Sequence, residues 1–299
     1  ARGIVYRDFK PVWWSPSSVT ALAEAELEYN EEHISPSAWV LFPVSRFSGM
    51  KDAATQASLT AFPKLHAAIW TTTPWTLPAN MAVCVGPTLS YSVVECMHGD
   101  NLVQFLLATS RVEAVESMLK TPVKVLQTFT GDKLEGLVFQ HPFEERDSPL
   151  LFGDHVTTES GTGLVHTAPG HGHDDFDVCK KHGISILCPV NGVGKYTAEA
   201  GARFEGKEIF KEGNPLVLEV LKEAGYLLHK EDFKHKYPYD WRTKKPIMIR
   251  TTHQWFSDVT KINHIAKETA SKVKVIPENG YLRLMATVGG RDYWCISRQ

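Results

Sequence analysis

Between residues 37 and about 140 the chain is built from short apolar or alternating runs separated by polar breaks. The runs 37–44, 65–72, 81–85, 91–96, 102–108 and 123–129 have the length and periodicity of strands. Helical signals are fewer. Residues 19–30 (VTALAEAELEYN) follow Ser15-Pro16-Ser17-Ser18 and are rich in strong helix formers, which predicts a helix. Further helices are predicted at 110–120 (SRVEAVESMLK), 174–182, 207–211 and 214–224, the last closing on Gly225. The pattern predicts an α+β fold in which a mixed, mainly β sheet closes into a barrel with helices packed outside. At 299 residues and 43% hydrophobic content, the chain can bury a sizeable core.

Two segments carry more chemistry than a core requires. The first is Trp70-Thr71-Thr72-Thr73-Pro74-Trp75-Thr76-Leu77-Pro78-Ala79-Asn80, in which an apolar strand ends in three threonines and Pro74 prevents its continuation. Side chains alternate along an extended chain, so three threonines must put a hydroxyl toward the core unless the sheet rim is open there. Alone, the run reads equally well as an edge strand entering a turn. The second segment is Gly161-Thr162-Gly163-Leu164-Val165-His166-Thr167-Ala168-Pro169-Gly170-His171-Gly172-His173-Asp174-Asp175-Phe176. It reads as a short strand, a glycine-rich loop that lets backbone approach a ligand, and a helix opening with two acids where its dipole favours negative charge.

Together these segments resemble the editing domain of isoleucyl-tRNA synthetases, the connective insertion of the bacterial and mitochondrial type. Valyl and leucyl relatives resemble TTRP at the threonine run, whereas this chain has Thr73 and continues PWTLPAN. The resemblance extends to both ends: residues 6–29 look like the way into the insertion, 237–256 (YPYDWRTKKPIMIRTTHQWF) like the way out, and 292–299 like the return to the catalytic domain. It implies a first stalk segment at 1–36, an editing domain at 37–229, and an exit stalk at 230–299 leading to a catalytic domain outside the chain. An inserted unit leaves and returns to its host at nearby points, so the two stalk segments are expected to pair.

The implied activity is hydrolytic proofreading of Val-tRNA(Ile), with valyl-adenylate as a further substrate. The alternative is an RNA-binding or positioning module that is inactive without the parent enzyme. Aminoacylation is not expected, because the HIGH and KMSKS motifs are missing. The implied roles fall on particular residues. Asp175 receives the substrate ammonium, a role for which a desolvated pocket needs an anion, while Asp174 caps the helix. His166 shapes the pocket, rejects isoleucine and orients water, its plainer reading being a satisfied core histidine. Thr71, Thr72 and Thr73 contact the ester, ribose and attacking water, since a hydroxyl both donates and accepts. Trp70, Trp75, Asn80 and Gly163 complete the pocket, although Trp70 also fits plain core packing. The family commonly has proline where this chain has His173, a second imidazole beside the acids.

The formal charge of −2 excludes global attraction to RNA and leaves a local patch. Lys234, Lys236, Arg242, Lys244 and Lys245, interleaved with Phe233, Tyr237, Tyr239 and Trp241, fit a single-stranded RNA end, or else a solvated face over buried aromatics. Five cysteines without framework spacing suit a reducing compartment. His171, His173, Cys179 and His182 have a zinc-like spacing, but substrate approach and helix packing explain them as well, so no metal or cofactor is expected. The expected partners are tRNA(Ile) carrying valine and the rest of the synthetase in cis. The piece is expected to be a monomer, without membrane association, in the mitochondrial matrix or a bacterial cytoplasm.

Overall fold

The computed structural model describes residues 3–290 and 292–298. In chain order the strands are β1 (Val5–Ser15), β2 (Thr20–Leu22), β3 (Leu27–Arg46), β4 (Leu65–Thr71), β5 (Ala82–Val85), β6 (Ser90–His98), β7 (Asn101–Ala108), β8 (Lys124–Thr130), β9 (Val138–Gln140), β10 (Asp147–Phe152), β11 (Leu164–Thr167), β12 (Leu227–Asp240), β13 (Met248–Asp258) and β14 (Tyr293–Cys295). The α-helices are α1 (Ala53–Leu59), α2 (Val112–Leu119), α3 (His173–Lys181), α4 (Asn214–Glu223), α5 (Thr260–Ala270) and α6 (Asn279–Gly289).

One large mixed sheet runs β11-β5-β10-β9-β3-β4-β7-β6-β8, with β12 also pairing β3. A second sheet has the order β14-β13-β1-β2. Strand β4 is buried almost throughout, as the apolar run 65–70 requires of a strand covered on both faces. Helix α4 buries Val217, Leu218, Val220 and Leu221, and the αL turn at Gly225, with φ of +78°, reverses the chain into β12.

Three expectations are corrected. The expected barrel does not close: β11 and β8 end the strand path without pairing to each other. Strand β11 has only four residues and β8 is largely exposed. Near the gap, single bonds take the place of a ladder, from Ala108 N–H to Thr162 O at 2.7 Å and from the Tyr91 hydroxyl to Gly163 O at 2.9 Å. The predicted helix at 19–30 is instead β2, a 3₁₀ turn at Glu24–Glu26 and the start of the 20-residue β3. Here tertiary pairing overrides propensity. Strand β12 pairs β3 antiparallel from Leu227↔Val40 to Asp240↔Leu27. Of the segment's glutamates, Glu28 pairs with Lys244 in the turn after β12, and just beyond the segment Glu31 and Glu32 pair across the strands with Lys236 and Lys234. The predicted helix at 207–211 is a single π turn, Ile209–Gly213, running into α4.

The two ends of the chain are tied together. Strand β1 pairs β13 antiparallel from Val5↔Ser257 to Trp14↔Met248. Buried Asp240 accepts bonds from the hydroxyls of Ser15 and Ser18, each at 2.6 Å, and from Arg242 N–H at 2.8 Å. Burial alone would raise its pKa, but these bonds and a longer one from Thr243 N–H outweigh it and hold the carboxyl at about 2. A depressed carboxylate pKa adds stability that is complete above the unfolded value near 4 and lost as pH falls toward 2. Asp240→Ala is therefore expected to cost about 3 kcal/mol in urea unfolding at pH 7, with the gap to wild type narrowing between pH 4 and pH 2.

Candidate functional site

The site forms where β4 loses a neighbour. Strand β7 pairs β4 in parallel only over Leu65–Ala67, so the Thr71 end is open on that side. Pro74 then starts a 3₁₀ turn, Pro74–Ala79, whose residues are all buried. The turn is fastened from the helical side: Trp75 N–H donates to Asn214 Oδ1 at 2.9 Å, and the Tyr196 hydroxyl donates to Trp75 O at 2.6 Å. The threonine lip is thus a rigid edge. Thr73 N–H donates to Thr71 Oγ1 at 3.1 Å, and the two hydroxyls lie 3.4 Å apart.

A cavity of about 230 Å³ opens on this lip. Trp70, Thr71, Thr72, Thr73 and Thr76 form one wall, and Val165, His166, Ala168, His171 and Asp175 the other. It is smaller than the roughly 300–1,000 Å³ typical of pockets for drug-sized ligands. Larger cavities lie beside Trp13 and His173 (about 380 Å³) and beside Ile276 and Pro277 (about 700 Å³), but neither gathers hydroxyls around a desolvated carboxyl.

His166 is held at both nitrogens. Asn80 Nδ2 lies 2.7 Å from His166 Nδ1 and donates 2.8 Å to Ala82 O, while the Ser148 hydroxyl donates 2.6 Å to Asn80 Oδ1. With the amide so oriented, Nδ1 is an acceptor and the neutral ring carries its proton on Nε2, 2.9 Å from Thr76 Oγ1. The Thr76 hydroxyl in turn donates to Thr73 O at 2.9 Å. Burial, and then the nearby His171 and Arg146, lower the His166 pKa to about 3. His166 is therefore a neutral, oriented wall of the cavity.

Asp175 lies in the first turn of α3, and its Oδ2 accepts from Ala168 N–H at 2.7 Å. Desolvation raises its pKa to about 6, against the lowering effect of the Ala168 bond. Gly172 makes room for this carboxyl, since a Cβ there would lie 2.8 Å from Asp175 Cγ and Oδ2. The raised pKa fixes a sign: its stabilising effect is complete below the unfolded value near 4 and lost as pH rises through 6, so the ionised carboxylate burdens the fold at neutral pH. Asp175→Asn, which keeps an acceptor for Ala168, should gain on the order of 3 kcal/mol over wild type between pH 4 and pH 8, read by denaturant unfolding at both values.

The structure brings Trp70, Thr71, Thr72, Thr73, His166 and Asp175 together around the cavity. Three other residues expected there lie behind it. Asn80 is fully buried and acts through His166. Trp75 packs against His171 and Phe210, with ring centroids 5.0 and 5.9 Å away. Gly163 has φ of +76°, and a Cβ there would lie 2.4 Å from Ala108 Cβ, so chain packing accounts for it. Asp174 does not cap α3; Gly172 occupies the cap position, and Asp174 is exposed. His173 is half-buried against the Trp13 ring, 5.9 Å away, outside this cavity. Of the cationic residues, Lys234, Lys236 and Lys244 are paired with glutamates and Arg242 lies 3.9 Å from Glu26, while Lys245 is exposed. Sequence reasoning missed Thr76 and Val165 as wall residues and weighed His171 only as a metal ligand. His171 sits in the same Pro-Gly-His-Gly loop as the other site residues, and that was the available signal.

Residues beyond the expected editing domain hold that loop. The His171 Nδ1–H donates to Ile249 O at 2.9 Å, and Thr251 N–H donates to Gly170 O at 2.9 Å, both from β13.

A largely desolvated carboxyl and a threonine lip thus meet at one cavity beside the sheet rim. The chain belongs to the class I tRNA synthetases, the I, L, M and V group, whose family model matches residues 1–299. Within that family it matches a segment of isoleucine–tRNA ligases consistent with their editing insertion. It is 48% identical over 298 residues to the isoleucine–tRNA ligase of Acaryochloris marina, covering all of this chain and 30% of the relative. It is 46% identical over 307 residues to the "Probable isoleucine--tRNA ligase, mitochondrial" of Dictyostelium discoideum, again covering the whole chain and 30% of the relative. The chain thus spans about 30% of the length of these relatives. Its fold is similar to the crystal structure of GlLeuRS-CP1 (TM-score 0.51, 13% identity, 66% of this chain and 98% of that one). It is also similar to the P. knowlesi cytosolic leucyl-tRNA synthetase editing domain (TM-score 0.50, 12% identity, 68% and 100%). No helix among the described residues is long and apolar enough to cross a membrane.

Proposed function

We propose that this chain is the proofreading segment of an isoleucyl-tRNA synthetase and hydrolyses the ester joining valine to the terminal adenosine of tRNA(Ile). The observation that carries the reading is the desolvated Asp175 carboxyl facing a threonine-lined cavity of about 230 Å³. A synthetic site that accepts isoleucine discriminates poorly against valine, because one methylene is worth only about 1–3 kcal/mol, a range for which isoleucyl-tRNA synthetase is itself a standard example. A second, smaller pocket solves the problem by admitting valine and excluding isoleucine by clash.

In this reading Asp175 receives the α-ammonium and the His166 wall limits the side chain. The threonine hydroxyls stabilise charge developing on the ester oxygen. Water attacks the carbonyl carbon, the bond to the ribose oxygen breaks, and that oxygen takes up a proton. An aminoacyl ester is already activated, so orientation and electrostatics suffice without a covalent intermediate. Valyl-adenylate is a further substrate in this reading. The tRNA and the remainder of the synthetase, in cis, are the implied partners, and the segment acts as a monomer between stalks at 1–36 and 230–299. The relatives suggest a bacterial cytoplasm or a mitochondrial matrix.

The ion pairing of Lys234, Lys236 and Lys244 leaves the alternative, a purely RNA-positioning module, without a specific observation in its favour. The test is release of labelled amino acid from Val-tRNA(Ile) and Ile-tRNA(Ile) incubated with the chain. Selective release of valine supports the reading, and release of neither above the spontaneous rate opposes it.

A further inference from the structure

The cavity wall contains a second imidazole that differs from His166 in one chemical respect. His171 is only 9% exposed, and its Nδ1 is committed as a donor to Ile249 O at 2.9 Å. A carbonyl can only accept, so the tautomer is fixed with the proton on Nδ1 and a bare lone pair on Nε2. That Nε2 is buried and has no hydrogen-bond partner among the protein atoms. Buried polar atoms are nearly always satisfied, and an unsatisfied one beside a cavity calls for a ligand or a functional role. His166 is bonded at both nitrogens, Thr76 lies between His166 and Thr73 O, and Asp175 Oδ2 is fixed by Ala168. Of the two imidazoles in the wall, only His171 has a ring nitrogen without a hydrogen-bond partner.

We infer that His171 Nε2 holds the water that attacks the ester, and that His171, not His166, is the imidazole in contact with the reacting atoms. The inference rests on the proofreading reading above and names the group that orients its nucleophile. One O–H of the water points at Nε2 and turns an oxygen lone pair toward the carbonyl carbon. As the C–O bond to the water forms and the ester C–O bond breaks, the water's proton passes to the departing ribose oxygen. His171 itself stays neutral; burial, which outweighs the Ile249 bond, keeps its pKa near 4. The ring is held from behind by β13 and by Trp75, whose ring centroid is 5.0 Å away, so the lone pair has a fixed direction.

Two substitutions separate the ends of the ring. His171→Asn keeps a donor near Nδ1 for Ile249 and removes the acceptor at Nε2. His171→Gln places its amide oxygen near Nε2 and forgoes the Ile249 bond. The expected result is a kcat for valine release about 10²-fold lower in His171→Asn, with KM within about threefold and an unchanged unfolding midpoint. His171→Gln should recover at least about a tenth of the wild-type rate despite lower stability. A wild-type rate in His171→Asn, or equal defects in both variants tracking their stability, overturns the inference. A second readout is independent of turnover: ¹⁵N NMR of the imidazoles should show His171 Nε2 as an unprotonated nitrogen that shifts when 3′-valylamido-adenosine fills the cavity. A protonated or unresponsive Nε2 overturns the inference. An inactive wild type with a responsive Nε2 removes the proofreading reading and leaves His171 as a binding group of the cavity.

Discussion

Asp175→Ala is expected to lower kcat/KM for valine release from Val-tRNA(Ile) by about 10²–10³-fold, while affinity for the uncharged tRNA stays within about twofold. The magnitude follows from the carboxyl's setting: leaving a buried charge without its partner costs about 3–5 kcal/mol, and each 1.4 kcal/mol is a factor of ten. In the free protein the carboxyl titrates near 6 and must be ionised to receive an ammonium group. In wild type, kcat/KM should therefore rise between pH 5 and pH 7 and level off above, whereas Asp175→Ala should be flat across that range. Initial rates at fixed ionic strength, alongside filter binding of the tRNA, separate this outcome from a general loss of RNA affinity. An undiminished rate in the variant would remove Asp175 from the reaction.

The second large effect is a change of specificity. His166→Ala should raise hydrolysis of Ile-tRNA(Ile) from the spontaneous rate to within about tenfold of the valine rate. The imidazole cannot swing aside to admit an extra methylene, because Asn80 and Thr76 hold it from opposite nitrogens and Ser148 locks Asn80. Deleting the ring opens the wall. The cost to the fold is about 1–3 kcal/mol, because Asn80 and Thr76 lose a buried partner. Release of isoleucine at the spontaneous rate by a folded His166→Ala protein would show that another wall residue sets the size limit.

Much of the candidate site could be read from the sequence because the groups lining its cavity sit in two short segments. Thr71 to Thr73 are contiguous, and His166 and Asp175 lie in one strand-loop-helix unit. What could not be read depends on distant contacts. The role of Asn80 comes from Ser148, 68 positions away, and that of His171 from Ile249, 78 positions away. Neither pairing has a local signature. The helix expected at 19–30 failed for the same reason: its glutamates suit a helix, but the ladder with the distant β12 holds residues 27–30 in a strand. The closed barrel failed at its ends, where β11 is too short and β8 too exposed to form a ladder.

These corrections bear on where the functional unit ends. The sequence division assigned 230–299 to an exit stalk, yet β13 supplies Ile249 O and Thr251 to the site loop. A shorter piece ending near residue 229 would lack both anchors.

Binding of two matched ligands tests directly whether the cavity recognises an α-ammonium group through Asp175. Calorimetric titration with 3′-valylamido-adenosine and with its analogue lacking only the amino group, at pH 7.5, should show the amine-bearing ligand bound about 10²-fold more tightly by wild type and no preference in Asp175→Asn. Equal affinities in wild type, or a preference that survives in Asp175→Asn, would contradict the account.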